Sequence, residues 1–433
     1  MPAVLAYAQP ESSLLSFADT PVTDSWAFRD KTRKDTAYIT HGYHRYPAKF
    51  IPQVAARLVE THSAPDDVVA DVFAGCGTTL VEAKMLGRKA LGTDINPVAA
   101  MITQAKITPI NPATVEIAHE QLASALDTPA LNTAMPDHER IDYWFMPEQK
   151  RQLAHCLNAI QRVKHQNLRQ FFLCAFSNIL KNCSIWAQKS NKPIRDYKKN
   201  PAHPIDALHR QIKAMKRGNA EFYARLQQEK YLDIPCTIDC RDARAFPAQD
   251  STVGLVVTSP PYVTSYEYGD LHQLAALWLE HTDDVAQFRR LFIGSAYHKL
   301  TDELYNPYSP QAQSIVCDLS TISKKTALSV AHYFSSMANV FQEMHRMLKP
   351  KGKACIVIGN TKLKGVPIRN AEVFAEQLDS QGFRLQDVIK REIPSKNLPS
   401  VRNEQTGRFT KITDKNQMMA YPTEYILIAE KKT

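Results

Sequence analysis

The run Val253-Gly254-Leu255-Val256-Val257-Thr258 is apolar without alternation and stops at Ser259-Pro260-Pro261-Tyr262. Such a run predicts a strand buried on both faces, as in the interior of a parallel sheet. A second strand signal covers Val68 to Phe73. It is followed by the turn Ala74 to Thr78, a helix from Thr79 to Leu86 closed by Gly87, and a strand from Ala90 to Asp94. That order is a βαβ unit, which implies a right-handed parallel crossover. Upstream, Val54, Leu58 and Val59 recur at helical spacing and predict a helix from Pro52 to about Thr61.

After Asn96 the strand signal vanishes until Cys236. In between, Pro147-Glu148 opens a helix with Leu153, Leu157, Ile160 and Val163 on one face, and a more apolar helix runs from Leu168 to Leu180. Strands resume at Cys236 to Asp239 and at Val253 to Thr258. A helix from Val330 to Leu348 stops at Lys349-Pro350-Lys351-Gly352 and leads into a strand from Ala354 to Ile358. Phe383 to Glu392 and Thr423 to Ala429 complete the strands, separated by a polar loop from Pro394 to Pro422. The fold class is therefore α/β: a Rossmann-like sheet, mostly parallel with an antiparallel C-terminal strand, and a helical insertion. Residues 1–35 read as an irregular segment, 36–104 and 235–433 as two parts of the sheet domain, and 105–234 as the insertion.

Composition narrows the setting. The 433 residues are 44% apolar, enough to fill a core, and no stretch reaches the ~20 apolar residues of a spanning helix. The N-terminus lacks a basic segment followed by an apolar one, so no signal peptide is expected. Eight cysteines without paired CxxC spacing point to free thiols, a reducing cytoplasm and no structural metal. The net charge of +9 is uneven: from Lys181 to Lys230 there are twelve Lys/Arg against four Asp/Glu. Such a patch is the usual footprint of a phosphate backbone, although solvated helix faces also carry lysines. The candidate contacts are Lys189, Lys192, Arg195, Lys198, Lys199, Lys216 and Arg217.

Three constellations carry chemistry. Phe73-Ala74-Gly75-Cys76-Gly77-Thr78 follows a strand and opens a helix, where a Rossmann-like fold holds its nucleotide. Gly75 and Gly77 let the backbone approach a ligand, and Leu80 replaces the third glycine of a dinucleotide fingerprint. An adenosyl ligand without a pyrophosphate does not need that cradle. Asp94 ends the second strand, placed to accept from ribose hydroxyls; a structural turn with a capping acid is the plain alternative. Asp242 could accept from an adenine amino group, or be a surface turn acid. In Tyr43 to Phe50, Tyr46 and Lys49 could meet the carboxylate of a methionine-derived cofactor, or the segment could be aromatic packing.

The third constellation is Ser259-Pro260-Pro261-Tyr262. Two prolines stiffen the turn and remove N–H donors. The Ser259 hydroxyl and the Pro260 carbonyl can then accept both hydrogens of a planar amino group while the Tyr262 ring covers the base. The chain resembles the amino-methylating DNA methyltransferases through His44-x-Tyr46-Pro47-Ala48-Lys49-Phe50, Phe73-x-Gly75-x-Gly77-Thr78, Asp94-Ile95-Asn96-Pro97 and Ser259-Pro260-Pro261-Tyr262.

The resemblance implies S-adenosylmethionine as cofactor. Phe73, Gly75, Gly77, Asp94 and Asp242 would surround it, with Tyr46, Lys49, Thr78 and Ile95, and Ser259 to Tyr262 would hold the target base. It implies duplex DNA with the target base flipped as substrate, in a prokaryotic cytoplasm. The setting is restriction–modification, with a cognate restriction endonuclease, or epigenetic marking by a solitary enzyme. Serine at position 259 points within that family to cytosine N4, whereas aspartate or asparagine there would point to adenine N6. An adenine-N6 enzyme, an RNA N-methyltransferase and an inactive nucleic-acid-binding relative are the other readings. Cytosine C5 methylation needs a Cys nucleophile, and Pro235-Cys236 precedes a strand rather than ending one.

Overall fold

The apolar run Val253–Thr258 becomes the middle strand of a seven-stranded sheet, and all six of its residues are buried. The computed structural model describes residues 14–47, 49–128, 134–190, 192–263, 267–298, 300, 305–394, 401–403, 413, 415–419 and 422–433. The sheet strands are β1 (Val68–Asp71), β2 (Lys89–Thr93), β3 (Cys236–Asp239), β4 (Val253–Thr258), β5 (Leu348–Ile358), β6 (Phe383–Glu392) and β7 (Thr423–Lys431). Their spatial order is β3-β2-β1-β4-β5-β7-β6, and β7 alone runs antiparallel to its neighbours. This is the mostly parallel Rossmann-like sheet, with an antiparallel C-terminal strand, that the sequence led us to expect.

Thirteen α-helices lie among the described residues. They are α1 (Pro52–His62), α2 (Thr78–Met85), α3 (Pro97–Ile107), α4 (Pro112–Leu126), α5 (Glu139–Trp144), α6 (Pro147–Gln161), α7 (Gln166–Cys183), α8 (Pro204–Gln228), α9 (Tyr268–Trp278), α10 (Val285–Arg290), α11 (Pro310–Ile322), α12 (Lys324–Met347) and α13 (Asn370–Ser380). None of them is long and apolar enough to cross a membrane.

Side-chain alternation along the strands splits the core in two. Leu255, Val257, Cys355, Val357, Ile426 and Ile428 face α1, α2 and the end of α8. Val256, Ala354, Ile356, Ile358, Leu427 and Ala429 face α11, α12 and α13. With both faces covered, the strands read as unbroken apolar runs. A third cluster fills the helical layer, and it reaches from Phe172 and Leu208 to Val98, Cys76 and Tyr43. Helices of the 105–234 segment therefore share one core with the loop that follows β1.

Eight helices, α3, α4, α5, α8, α9, α10, α11 and α13, escaped the hydrophobic pattern. For α11 a local signal exists: Pro310 opens it, and Ser309 Oγ accepts from Ala312 N at 3.0 Å. Helix α12 begins at Lys324, earlier than Val330, because Ser323 caps it and the buried stripe already includes Ala327. The Lys349 to Gly352 stop is itself strand: β5 starts at Leu348, and Lys351 takes a positive φ of 62° where the ladder shifts register opposite Val253 and Leu255.

At the far edge, Arg391 of β6 and Glu424 of β7 form a buried ion pair across the ladder, and Arg391 Nε donates to Trp26 O at 2.7 Å. Glu424→Ala should leave an unpaired buried guanidinium and cost about 3–5 kcal/mol in urea unfolding. The double replacement Arg391→Met with Glu424→Leu should recover most of that loss.

Candidate active site

A cleft opens where β1, β2 and β4 end. The chain crosses from β1 to β2 on one side, while β4 pairs with β1 on the other. Ligands of open α/β sheets bind at such a switch point, beyond the carboxyl ends of the strands. Its lining includes Tyr46, Lys49, Phe73, Gly75, Thr78, Asp94, Ile95, Asp242, Ser259 and Pro261. Residues from five separate sequence segments thus meet in one cavity. Gly77, Pro260 and Tyr262 are not among the lining residues.

The loop after β1 is held from below. Gly75 N donates to Asp94 Oδ2 at 2.8 Å, and Asn96 N donates to Asp94 Oδ1 at 2.9 Å. Thr103 Oγ1 donates to Gly75 O at 2.9 Å, and the buried Lys106 Nζ donates to Cys76 O at 2.6 Å. Gly77 has φ 76°, and a Cβ there would lie 2.7 Å from Thr103 Cγ2. Packing of α2 against α3 therefore demands glycine at 77. Gly75, at φ 52°, is the glycine that faces the cleft.

Two acids sit at adjacent strand ends. Burial pushes the Asp94 carboxyl up to about 6, against the pull of its two backbone hydrogen bonds. Asp71 is also raised by burial to about 6, and its Oδ1 accepts from Thr258 Oγ1 at 2.7 Å and Phe73 N at 3.1 Å. Asp71 lines the cleft and was missed; its signal was an acid ending the apolar strand Val68-Val69-Ala70. Asp242 accepts from Arg244 Nε at 3.0 Å and from the second guanidinium nitrogen at 2.6 Å. Burial would raise that carboxyl, and Arg244 outweighs it, so the net shift is downward.

The Ser259–Tyr262 turn is anchored from behind. Tyr333 Oη of α12 donates to Pro261 O at 2.8 Å, and Gly359 N, just past β5, donates to Tyr262 Oη at 2.9 Å. The Tyr262 hydroxyl is thus tied to the backbone at the end of β5, where a ring lying over a base was expected. The aromatic walls of the cleft are instead Tyr46, Tyr268 and Phe292, with Tyr268 at 6.5 Å between centroids from each of the other two. Tyr268 and the 291–293 segment carried no sequence signal.

The basic segment divides. Lys199 Nζ donates to the carbonyls of Lys181 and Trp186 at 2.7 and 2.8 Å, and burial lowers its ammonium to about 8. Lys216 pairs with Glu116. Arg195 lies between Tyr143 and Tyr197, 4.2 and 4.6 Å from their ring centroids. Lys189, Lys192, Lys198 and Arg217 are exposed. Four of the seven expected cations are displayed to solvent, while Lys199 and Lys216 are held by the protein itself. No group of three or more metal-ligating side chains occurs among the described residues.

The sequence has relatives over nearly its full length. It is 27% identical to the Type II methyltransferase M.MvaI of Kocuria varians over 92% of this chain and 93% of that protein. It is 23% identical to the Type II methyltransferase M.BsoBI of Geobacillus stearothermophilus over 75% of each. Among solved structures, a SAM-dependent methyltransferase from Methanosarcina mazei aligns with 87% of this chain and 97% of its own, at 10% identity and a TM-score of 0.31. The family model described as DNA methylase, of the N6/N4 methyltransferases, matches residues 7–105 and 253–433. Those two spans carry the Gly75 loop, Asp94 and the Ser259–Tyr262 turn, and the chain belongs to this family of S-adenosylmethionine-dependent N6/N4 DNA methyltransferases.

Proposed function

We propose that the chain methylates the exocyclic N4 of cytosine in duplex DNA. The observation that carries this reading is the sharing of one cleft by Ser259 and Pro261 with Gly75, Asp94 and Asp242. The cleft's chemistry fits the cofactor: apolar Phe73 and Ile95, a carboxylate at Asp94 with lone pairs left for ribose hydroxyls, and the Lys49 ammonium for a carboxylate. When bound, S-adenosylmethionine supplies an electrophilic methyl group on a sulfonium. Asp242, its plane fixed by Arg244, keeps lone pairs for an adenine amino group.

The chain's own residues address the weak nucleophile. The cytosine amino lone pair is delocalised into the ring. Acceptors for both amino hydrogens favour a pyramidal nitrogen with a localised lone pair. Ser259 Oγ is one such acceptor. The second is the Pro260 carbonyl of the same turn, which Tyr333 braces through the neighbouring Pro261 carbonyl. These fixed acceptors also face the positive charge that develops on nitrogen. Holding base and ribose at separate walls lets nitrogen, methyl carbon and sulfur line up, which supplies much of the rate.

A base stacked in a duplex cannot enter such a cleft, so the target cytosine flips out. Its faces then meet Tyr46, Tyr268 or Phe292, the aromatic walls of the cleft. The Type II relatives support a role in restriction–modification beside a cognate endonuclease. Incubation with plasmid DNA and S-adenosylmethionine, followed by nucleoside analysis, should yield N4-methylcytosine. N6-methyladenine as the sole product would overturn the choice of base and leave the family intact.

Cofactor affinity should depend on pH through Asp94. Its free-enzyme pKa of about 6 must fall when ribose hydroxyls donate to the carboxylate, so binding releases a proton. Calorimetric affinity should therefore be constant well above pH 6 and decline as pH falls through about 6. Asp94→Asn should bind more weakly and lose this dependence.

The tether at Tyr262 gives a further test. Tyr262→Phe removes the acceptor for Gly359 N–H, at a cost of ~1–3 kcal/mol, and should lower kcat by about tenfold. Tyr262→Ala should lower it further, with S-adenosylmethionine affinity changed less than about twofold in both. Full activity in Tyr262→Phe would mean that the ring alone matters.

A further inference from the structure

Residues 185–190 and 192–196 form the two arms of a short hairpin-like turn of the chain, and their base is locked. Trp186 and Arg195 form an isolated antiparallel bridge, Ala187 N donates to Ile194 O at 2.8 Å, and Asp196 N donates to Ile185 O at 2.7 Å. Trp186 is buried and stacks on Trp144 of α5 at 5.0 Å between centroids. From inside, Lys181 Nζ donates to Ser190 O at 2.7 Å, and Lys199 grips the Trp186 carbonyl. A loop braced by two half-buried ammonium groups holds its outward side chains in fixed positions.

Those outward side chains are unusual. The Arg195 guanidinium is sandwiched between Tyr143 and Tyr197, yet its side chain makes no hydrogen bond or ion pair with any described residue. Its Nε is buried and without a partner. Tyr197 is 76% exposed, and Lys189, Lys192 and Lys198 surround the same loop. Two rings therefore fix the plane of a cation whose donors are left open. A phosphate needs only charge nearby; a planar fork with a fixed plane suits the paired acceptors O6 and N7 of guanine.

The loop is also connected to the cleft by two routes. Tyr46 lines the cleft, and its neighbour Arg45 bonds Asn178 of α7 through its backbone N–H at 3.0 Å. One turn further along α7, Lys181 braces the loop. On the other side Tyr268 opens α9 at the cleft, and Gln273 of α9 accepts from Arg140 at 3.0 Å, whose guanidinium covers Tyr143. The helical parts of these routes, Asn178 to Lys181 and Tyr268 to Gln273, rise about 5 and 8 Å, and the side-chain steps lengthen each further. Such a separation corresponds to several base pairs beside a flipped nucleotide.

We propose that the two arms 185–190 and 192–196 face the duplex flanking the target base, and that Arg195 recognises the base edge of a guanine there. The proposal rests on the reading that duplex DNA is the substrate. Full-length wild type, Arg195→Ala, Arg195→Lys and a combined Lys189→Ala, Lys192→Ala, Lys198→Ala variant would be compared. The readouts are base-resolution mapping of methylated plasmid, kcat/KM on duplexes changed one base pair at a time, and the salt dependence of binding. S-adenosylmethionine affinity and thermal melting check the fold, and Arg195→Gln replaces the alanine variant if it does not fold.

Arg195→Ala should relax discrimination at one guanine position by about 10- to 100-fold, and leave the salt slope unchanged. Arg195→Lys should not rescue it, because an ammonium lacks the fork. The triple lysine variant should weaken binding to all sequences alike and flatten the salt slope. Uniform weakening by Arg195→Ala with a slope reduced by about one would make Arg195 a phosphate anchor and overturn the proposal. Unchanged discrimination and unchanged slope would place the loop away from DNA and also overturn it. Wild type that modifies RNA and no duplex DNA would overturn the substrate reading and this proposal together.

Discussion

The hydrogen bond from Thr258 Oγ1 to Asp71 Oδ1 is the constraint on which the site depends. It joins the last residue of β4 to the last residue of β1, and both residues are almost fully buried. Strand pairing, with Val69 opposite Leu255 and Ala70 opposite Val256, sets these two ends one inter-strand spacing apart. The side-chain bond then fixes where each chain leaves the sheet. The glycine loop leaves from one end and the Ser259 turn from the other. A methyl donor and its acceptor must be positioned to within a fraction of an ångström, and these two exits are the shortest path between them. Asp71 also receives Phe73 N, so the same carboxylate starts the loop it helps to aim.

A second layer of fixation comes from the opposite side of the sheet. Tyr333 and Gly359 hold the Pro261 carbonyl and the Tyr262 hydroxyl, and Tyr333 belongs to the helix packed on the face away from the Gly75 loop. The turn is therefore clamped between the two core halves. Its prolines remove backbone freedom, and these two hydrogen bonds remove what remains. The stiffness that drew attention to the motif in the sequence is completed by partners about seventy and a hundred residues away.

What was legible in the sequence was local. The strand Val253–Thr258, the βαβ unit and the acid at Asp94 each follow from a few adjacent residues, through period, turn chemistry and strand termination. The sheet order was not read from the sequence, which went no further than a parallel crossover and an antiparallel C-terminal strand. What was not legible depends on distant closure. Tyr268 and Phe292 reach the cleft because α9 and α10 fold back over it, and no periodicity in 267–293 says where that layer will lie. Gly77 looked like a ligand-facing glycine and is instead a packing glycine, because Thr103 of α3 lies directly against it in space and nothing in the motif itself shows that contact.

Charge was the least legible property of all, for a reason that bears on function. A count of Lys and Arg weighs every cation equally. The structure divides them by what holds them: Lys84, Lys106, Lys181 and Lys199 each donate to one or two backbone carbonyls and are parts of the scaffold. Burial lowers the ammonium of all four. Such lysines act as multi-pronged donors that satisfy loop carbonyls a helix or sheet cannot reach. They stiffen the Gly75 loop at one end of the helical layer and the arms 185–190 and 192–196 at the other. The cations left on the surface are then presented from backbones already fixed, so that binding a charged partner need not also order the loops that carry them.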